Sequence, residues 1–286
     1  MKQFPSKIFI DGGDVAETGQ AVEFLGRIDG QTTNPSLIAS NPQIKEKLSK
    51  GKKFTEDEAM DAYKQIVREF TELVDWSVSV ETYADKDTKA EEMLIQAREM
   101  FSWSEKVWVK MPVTHEGLKA AEQAVKEGIR LNMTLCFSQA QAAAVYSATK
   151  GAKKGNVFVS PFVGRLDDRG ENGMKLIDNM IKMYEAGDGH VSILTASVRN
   201  LDHLLYALKI KSPIITIPFK VFQNWREIDF LVPSLDWQYD PAGLKKIPYR
   251  KISLDKSWEK YDIRHDLTDS GLARFASDWK GMIQNL

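Results

Sequence analysis

The chain is poor in cysteine: Cys136 is its one cysteine among 286 residues. That excludes an intrachain disulfide and a cysteine-based metal cluster, and it agrees with a reducing compartment, so a cytoplasmic protein is expected. The sequence has no excess of either charge. Lys plus Arg number 39 against 40 for Asp plus Glu, and the net charge of −1 gives no electrostatic reason to expect nucleic acid or an anionic membrane as a partner. It also has no long apolar run. The longest uncharged stretch, Leu131 to Thr149, contains Asn132, Thr134, Ser138, Gln139 and Gln141, and reads as a strand and a helix, not a membrane span. The opening, Met1-Lys2-Gln3-Phe4-Pro5-Ser6, leads into strand-like sequence and lacks the apolar core of a signal peptide. No internal repeat or low-complexity segment stands out.

What is there is 43% hydrophobic and 28% charged, enough for one large α/β domain or two smaller ones. Short β-rich runs alternate with longer helical patterns. Strands are expected over Lys7–Asp11, Gly30–Thr33, Trp76–Glu81, Val107–Met111, Arg130–Leu135, Asn156–Pro161, Val191–Ala196 and Ile214–Ile217. Helices are expected over Val15–Leu25, Pro35–Ser49, Glu56–Val74, Thr88–Phe101, His115–Lys126, Gln139–Thr149, Gly173–Glu185 and Asn200–Leu208. Such alternation makes a parallel sheet with right-handed crossovers, and eight units are the count of a closed (β/α)8 TIM barrel. A doubly wound open sheet is the alternative. Against it, Asp11-Gly12-Gly13-Asp14 after the first strand is not a Gly-rich phosphate fingerprint.

Helix starts support these boundaries: Asp14 with Glu17, and Ser138 with Gln141, have capping-box spacing, and Asn34 precedes Pro35 as a cap would. The lysine-dense segment Lys45–Lys53 reads as a solvated helix end and turn. Residues 1–220 are thus expected to form the barrel. Residues 221–286 are expected to form an extension that packs on the barrel or on a neighbouring subunit, irregular over 221–264. The chain should end in an amphipathic helix, Leu267–Leu286, with Leu272, Phe275, Trp279 and Met282 on one stripe.

One residue does not suit its surroundings. In Val107-Trp108-Val109-Lys110-Met111-Pro112-Val113, alternation puts Trp108 and Lys110 on one face of an apolar strand. An ordinary lysine has a pKa of about 10.4, so only about one in a few thousand is neutral at pH 7, a handicap of roughly 4–5 kcal/mol that burial can partly relieve. A neutral lysine amine attacks carbonyls and forms Schiff bases. The plainer reading is a lysine that snorkels outward or pairs with a carboxylate.

The same parity argument finds polar groups facing the barrel axis on other strands. Asp11 lies with Phe9 on strand one, Asn34 with Thr32 on strand two, and Glu81 with Ser77 and Ser79 on strand three. Asn132 and Thr134 face inward on strand five, Ser160 and Phe162 with Phe158 on strand six. They gather at the C-terminal ends of the strands, where barrels of this kind hold their active sites. Each has a simpler explanation alone: Asn34 and Asp11 as helix caps, Thr134, Asn132 and Ser160 as core groups bonded to backbone, Glu81 as a counterion. Arg165 and Arg199 also follow strand ends, and Ser197 with the amides after it is expected to open a helix. Two guanidinium groups and a helix N-terminus suit a phosphate; surface ion pairs are the alternative for each arginine.

The runs that carry these residues resemble the transaldolase signature blocks, in order. They are Thr32-Thr33-Asn34-Pro35-Ser36-Leu37-Ile38, Ser79-Val80-Glu81, Val109-Lys110-Met111-Pro112, Leu131-Asn132-Met133-Thr134-Leu135-Cys136-Phe137-Ser138, Ser160-Pro161-Phe162-Val163-Gly164-Arg165 and Ala196-Ser197-Val198-Arg199-Asn200. The match covers about residues 7–220 plus Leu267–Trp279. The resemblance implies a Schiff-base enzyme of the non-oxidative pentose phosphate pathway that needs no metal or organic cofactor. It implies transfer of a dihydroxyacetone unit from sedoheptulose 7-phosphate or fructose 6-phosphate to an aldose phosphate, glyceraldehyde 3-phosphate or erythrose 4-phosphate.

By that resemblance Lys110 is the nucleophile, Glu81 and Thr134 hold the water that shuttles protons, and Asp11 is the general base. Asn34, Asn132 and Ser160 bind the hydroxyls, Phe162 lies beside them, and Arg165, Ser197 and Arg199 hold the phosphate. A related branch, fructose-6-phosphate aldolase, releases free dihydroxyacetone and resembles this chain but carries glutamine and tyrosine where Glu81 and Phe162 stand here. Transfer is therefore expected over cleavage. A catalytically silent sugar-phosphate binding protein is a third reading, disfavoured because binding alone needs no buried nucleophile. The expected partners are sugar phosphates and, as an open alternative, further copies of the chain.

Overall fold

The computed structural model describes residues 3–234, 236–241 and 243–284. Eight strands, β1 Lys7–Asp11, β2 Gly30–Thr32, β3 Ser77–Glu81, β4 Val107–Pro112, β5 Leu131–Cys136, β6 Val157–Pro161, β7 Val191–Thr195 and β8 Ile214–Ile217, pair in sequence order. All pairs are parallel, and β1 pairs with β8 to close the barrel. The helices run in chain order: α1 Val15–Leu25, α2 Pro35–Ala39, α3 Pro42–Ser49, α4 Glu56–Leu73, α5 Ala90–Phe101 and α6 His115–Lys126, then α7 Gln139–Ala148, α8 Val163–Asp167, α9 Gly173–Tyr184, α10 Leu201–Lys209, α11 Phe219–Glu227 and α12 Asp266–Met282. The fold is a (β/α)8 barrel, and among the described residues no helix is long and apolar enough to cross a membrane.

Several elements differ from the sequence reading, each for a local reason. The single helix expected over Pro35–Ser49 is two, because Pro42 cannot donate to a continuing helix. Asn41 instead caps a new start, accepting from the Gln43 and Ile44 amides. The chain expected to be irregular from residue 221 is helical through Glu227, and a 3-10 turn forms at Trp258–Lys260. Helix α8 was not foreseen; five residues are too few for apolar periodicity to register. Asp14 caps α1 through the Ala16 amide. Ser138 caps α7 through the Gln141 amide, but the Gln141 carboxamide answers to Phe137, one residue earlier than a capping box requires.

The barrel interior divides in two along its axis. Its N-terminal half is filled by rings: Phe158 lies 5.3 Å from Trp76 and stacks on Trp108 at 5.5 Å, with Phe9 edge-on at 6.3 Å. Gly30 makes room for this plug, since a Cβ there would meet the Phe9 ring at 2.6 Å and the Ser77 carbonyl at 2.5 Å. Each buried ring contributes roughly 4–6 kcal/mol of transfer free energy before entropy is counted. The C-terminal half is polar.

After α11 the chain crosses the outside of its own barrel before α12 begins. Gln139 on α7 exchanges hydrogen bonds with the Arg250 backbone, Asn179 on α9 donates to the Ile247 carbonyl, and Trp258 donates to Glu122 on α6. This path delivers α12 to the C-terminal mouth of the barrel. Its stripe of Leu272, Phe275, Trp279 and Met282 is buried, each at most 8% exposed. The last two residues of the expected terminal helix, Asn285 and Leu286, lie outside the described residues.

Candidate active site

Strand register sets the first layer of the site. Glu81 on β3 is level with Lys110 on β4, and Lys110 with Asn132 on β5. Residues level with one another in a parallel sheet point to the same side, so these three meet inside the barrel. Lys110 is 3% exposed. Its Nζ lies 2.9 Å from Glu81 Oε2 and donates to the Thr33 carbonyl at 2.7 Å. The approach to Glu81 is an ion pair by distance, but its angle is poor and Oε2 has no well-directed hydrogen bond. Burial raises the Glu81 carboxyl above its ordinary range, against the opposing charges of Lys110 and Arg165.

The amine is held from behind by groups outside the expected set. Thr33 Oγ1 donates to the Ser79 carbonyl, so the Tyr63 hydroxyl, 2.7 Å away, donates to Thr33. Tyr63 in turn accepts from the Glu81 amide at 2.9 Å. One hydroxyl on α4 therefore braces the carbonyl that holds Lys110 and the strand residue that faces it. On β5 and β6, Ser160 donates to Asn132 at 2.6 Å and Asn132 donates to Ser79 at 3.0 Å. Thr134 Oγ1 is buried with no hydrogen-bond partner. A hydroxyl so placed is costly unless it serves a bound molecule.

Asp11, at the end of β1, lies beyond ion-pair distance of Lys110. Thr32 donates to it at 2.6 Å, and because that proton is committed, Thr216 on β8 must donate to Thr32. The Asp11 side chain reaches a cavity but is surrounded by protein. Burial pushes its carboxyl up by more than the Lys110 charge and the Thr32 hydroxyl pull it down.

The cavity, about 230 Å³, opens at the C-terminal mouth. Eight of the eleven expected residues line it: Asp11, Asn34, Lys110, Ser160, Phe162, Arg165, Ser197 and Arg199. The other three, Glu81, Asn132 and Thr134, sit behind its wall. Asn34 also caps α2, accepting from Leu37 at 2.9 Å, so both readings of that residue apply. Ser197 does not open a helix as expected. It turns the chain in a left-handed conformation, φ 58°, and α10 starts at Leu201 under an Asn200 cap. Leu135, beside Thr134, has the same conformation, at a break in the β5–β6 register. Non-glycine residues held at positive φ store strain, and Ser197 lines this cavity.

The arginine end of the cavity is built by close backbone approach. Gly164 donates to the Ser197 carbonyl at 3.0 Å, which brings α8 and Arg165 against the loop after β7. Arg165 lies over the rings of Phe162 and Phe275, 5.3 and 5.4 Å from their centres, while Arg199 pairs with Asp168 at 2.9 Å. Thr216, Arg274 and Phe275 line the same cavity and were missed by sequence reading. Thr216 carried the signal that marked Lys110, one polar residue among isoleucines; Tyr63 and Arg274, on helices, carried none. Among the described residues no group of three His, Cys, Asp or Glu side chains is arranged to hold a metal ion. The arrangement can present one amine to a carbonyl, with two carboxylates nearby, and guanidinium groups to an anion in the same cavity.

Known proteins match this chain along nearly its whole length. The sequence profile described as Transaldolase/Fructose-6-phosphate aldolase matches residues 8–286. A Dehalococcoides mccartyi protein named "Probable transaldolase" is 34% identical over 277 residues, 96% of this chain and 99% of that protein. Proteins of the same name from Thermoplasma volcanium and Geobacter sulfurreducens are each 35% identical, over 274 and 276 residues, covering 96% of this chain and 95% and 99% of theirs. The chain belongs to the transaldolase/fructose-6-phosphate aldolase family.

Proposed function

We propose that this protein is a transaldolase that moves a dihydroxyacetone unit between sugar phosphates through a Schiff base on Lys110, in the non-oxidative pentose phosphate pathway. The observation that carries the reading is a buried amine level with Glu81, on the floor of a cavity whose far wall is arginine. Lys110, as the neutral amine, attacks C2 of sedoheptulose 7-phosphate or fructose 6-phosphate. Glu81 and the unpartnered Thr134 hydroxyl handle the protons as the carbinolamine loses water and leaves a protonated imine. Asp11 takes the C4 hydroxyl proton while the C3–C4 bond breaks and its electron pair flows into the imine. A neutral enamine stays on Lys110 and the aldose phosphate departs; the steps reverse with an acceptor such as glyceraldehyde 3-phosphate or erythrose 4-phosphate. A carboxyl raised by burial, as Asp11 is, suits a base that works nearer neutrality. Asn34 and Ser160 hydrogen-bond the hydroxyls, Asn132 orients Ser160 from behind by accepting its proton, and Arg165, Ser197 and Arg199 hold the phosphate.

The test is borohydride reduction in the presence of fructose 6-phosphate, followed by peptide mapping. A reduced three-carbon adduct at Lys110 is expected, and its absence, or an adduct elsewhere, overturns the reading. Simple cleavage is the second reading, and Glu81 and Phe162 favour transfer over it. Without an acceptor, little free dihydroxyacetone should appear; rapid release would reverse that choice.

A further inference from the structure

Three guanidinium groups line one end of the cavity: Arg165 from α8, Arg199 from the loop after β7 and Arg274 from α12. Like charges gathered on one wall repel unless an anion lies between them. Neighbouring carboxylates answer only part of this charge. Arg199 pairs with Asp168, whereas Arg274 Nε is 3.8 Å from Asp278, whose same oxygen already accepts from Ser36. Among the described residues no carboxylate comes within ion-pair distance of Arg165.

The face that α12 presents is specific. Gly271, Arg274 and Phe275 are three and four residues apart and so share one side of the helix. A Cβ on Gly271 would stand 2.6 Å from Arg165 Nη1, and the Phe275 ring backs the same guanidinium. Burial holds the Arg165 guanidinium below its ordinary range, and the charge of Arg274 acts on it more strongly than that of Arg199. Arg274 has no burial role that explains its place, for its side chain is 68% exposed.

We propose that Arg274 is a further substrate-binding residue, a third guanidinium on the phosphate, through which the terminal helix itself grips the sugar phosphate. The proposal rests on the reading of the site given above. A phosphate dianion accepts on several oxygens at once, so it can take forks from the strand ends and from the helix across the mouth.

The experiment compares the full-length protein with its Arg274→Ala and Arg274→Lys variants, by calorimetry with inorganic phosphate and by steady-state kinetics with fructose 6-phosphate. For Arg274→Ala the phosphate affinity should fall and KM rise by about tenfold, the value of one exposed charged contact, with the loss falling on KM more than on kcat. Arg274→Lys should recover part of both. Wild-type phosphate affinity and KM in Arg274→Ala would overturn the proposal, as would a loss confined to kcat. A wild-type protein that binds phosphate but traps no adduct at Lys110 would defeat the transaldolase reading while leaving the anion grip of Arg274 to stand or fall on the calorimetry.

Discussion

Lys110 Nζ and Glu81 Oε2 lie 2.9 Å apart on adjacent strands, each side chain 4% exposed. The pair is sealed between the aromatic plug below and the cavity above. A carboxylate this close to the amine is positioned to exchange protons with the group that forms on it.

Glu81→Gln keeps the shape and removes that exchange. Turnover of fructose 6-phosphate with an acceptor aldose should fall by about 10²–10⁴-fold. Borohydride should still label Lys110, but more slowly, since loss of water from the carbinolamine is the step affected. Stopped-time labelling with mass spectrometry reads both; a wild-type rate would remove Glu81 from the proton path.

Asp11 acts as base only when ionised, and burial raises its carboxyl. The acid limb of kcat/KM should therefore lie above the ordinary aspartate value of about 3.9. Thr32→Ala deletes a hydrogen bond that favours the carboxylate. Its loss raises Asp11 further, so the limb should move to higher pH, and activity at mildly acidic pH should drop before activity at neutral pH does. A limb that stays in place, or moves to lower pH, would mean that Asp11 is not the group being titrated.

Gly164→Ala tests how the arginine end is built. A Cβ would stand 2.4 Å from the Ser197 carbonyl oxygen, which is backbone and cannot swing aside. Helix α8 must retreat, carrying Arg165 with it. Urea unfolding should show a loss of about 1–3 kcal/mol, and KM for phosphorylated substrate should rise. Wild-type values of both would contradict this packing.

Much of this site was legible in the sequence, and the reason is local. Side-chain direction alternates in a strand whatever lies around it, so Asp11, Glu81, Lys110, Asn132 and Ser160 could be assigned to the axis from parity alone. Caps are equally local, as Asn34 and Ser138 show. What parity could not supply is distance. Position after a strand end grouped Ser197 with Arg165 and Arg199, but the helix start expected there is a left-handed turn, because backbone conformation at one serine leaves no periodic trace.

The eight strand–helix units and the inward polar set were readable along the chain, since both follow from repeats of a few residues whose geometry the backbone dictates. Which of those groups touch is a matter of packing. Tyr63 braces Thr33 and Glu81, Thr216 completes the Asp11 chain, and Arg274 reaches the arginine end of the cavity only because the chain after α11 wraps the barrel and sets α12 on its mouth. An amphipathic stripe states that a helix must bury one side; against what, and with which arginine facing the cavity, depends on contacts between residues more than a hundred positions apart.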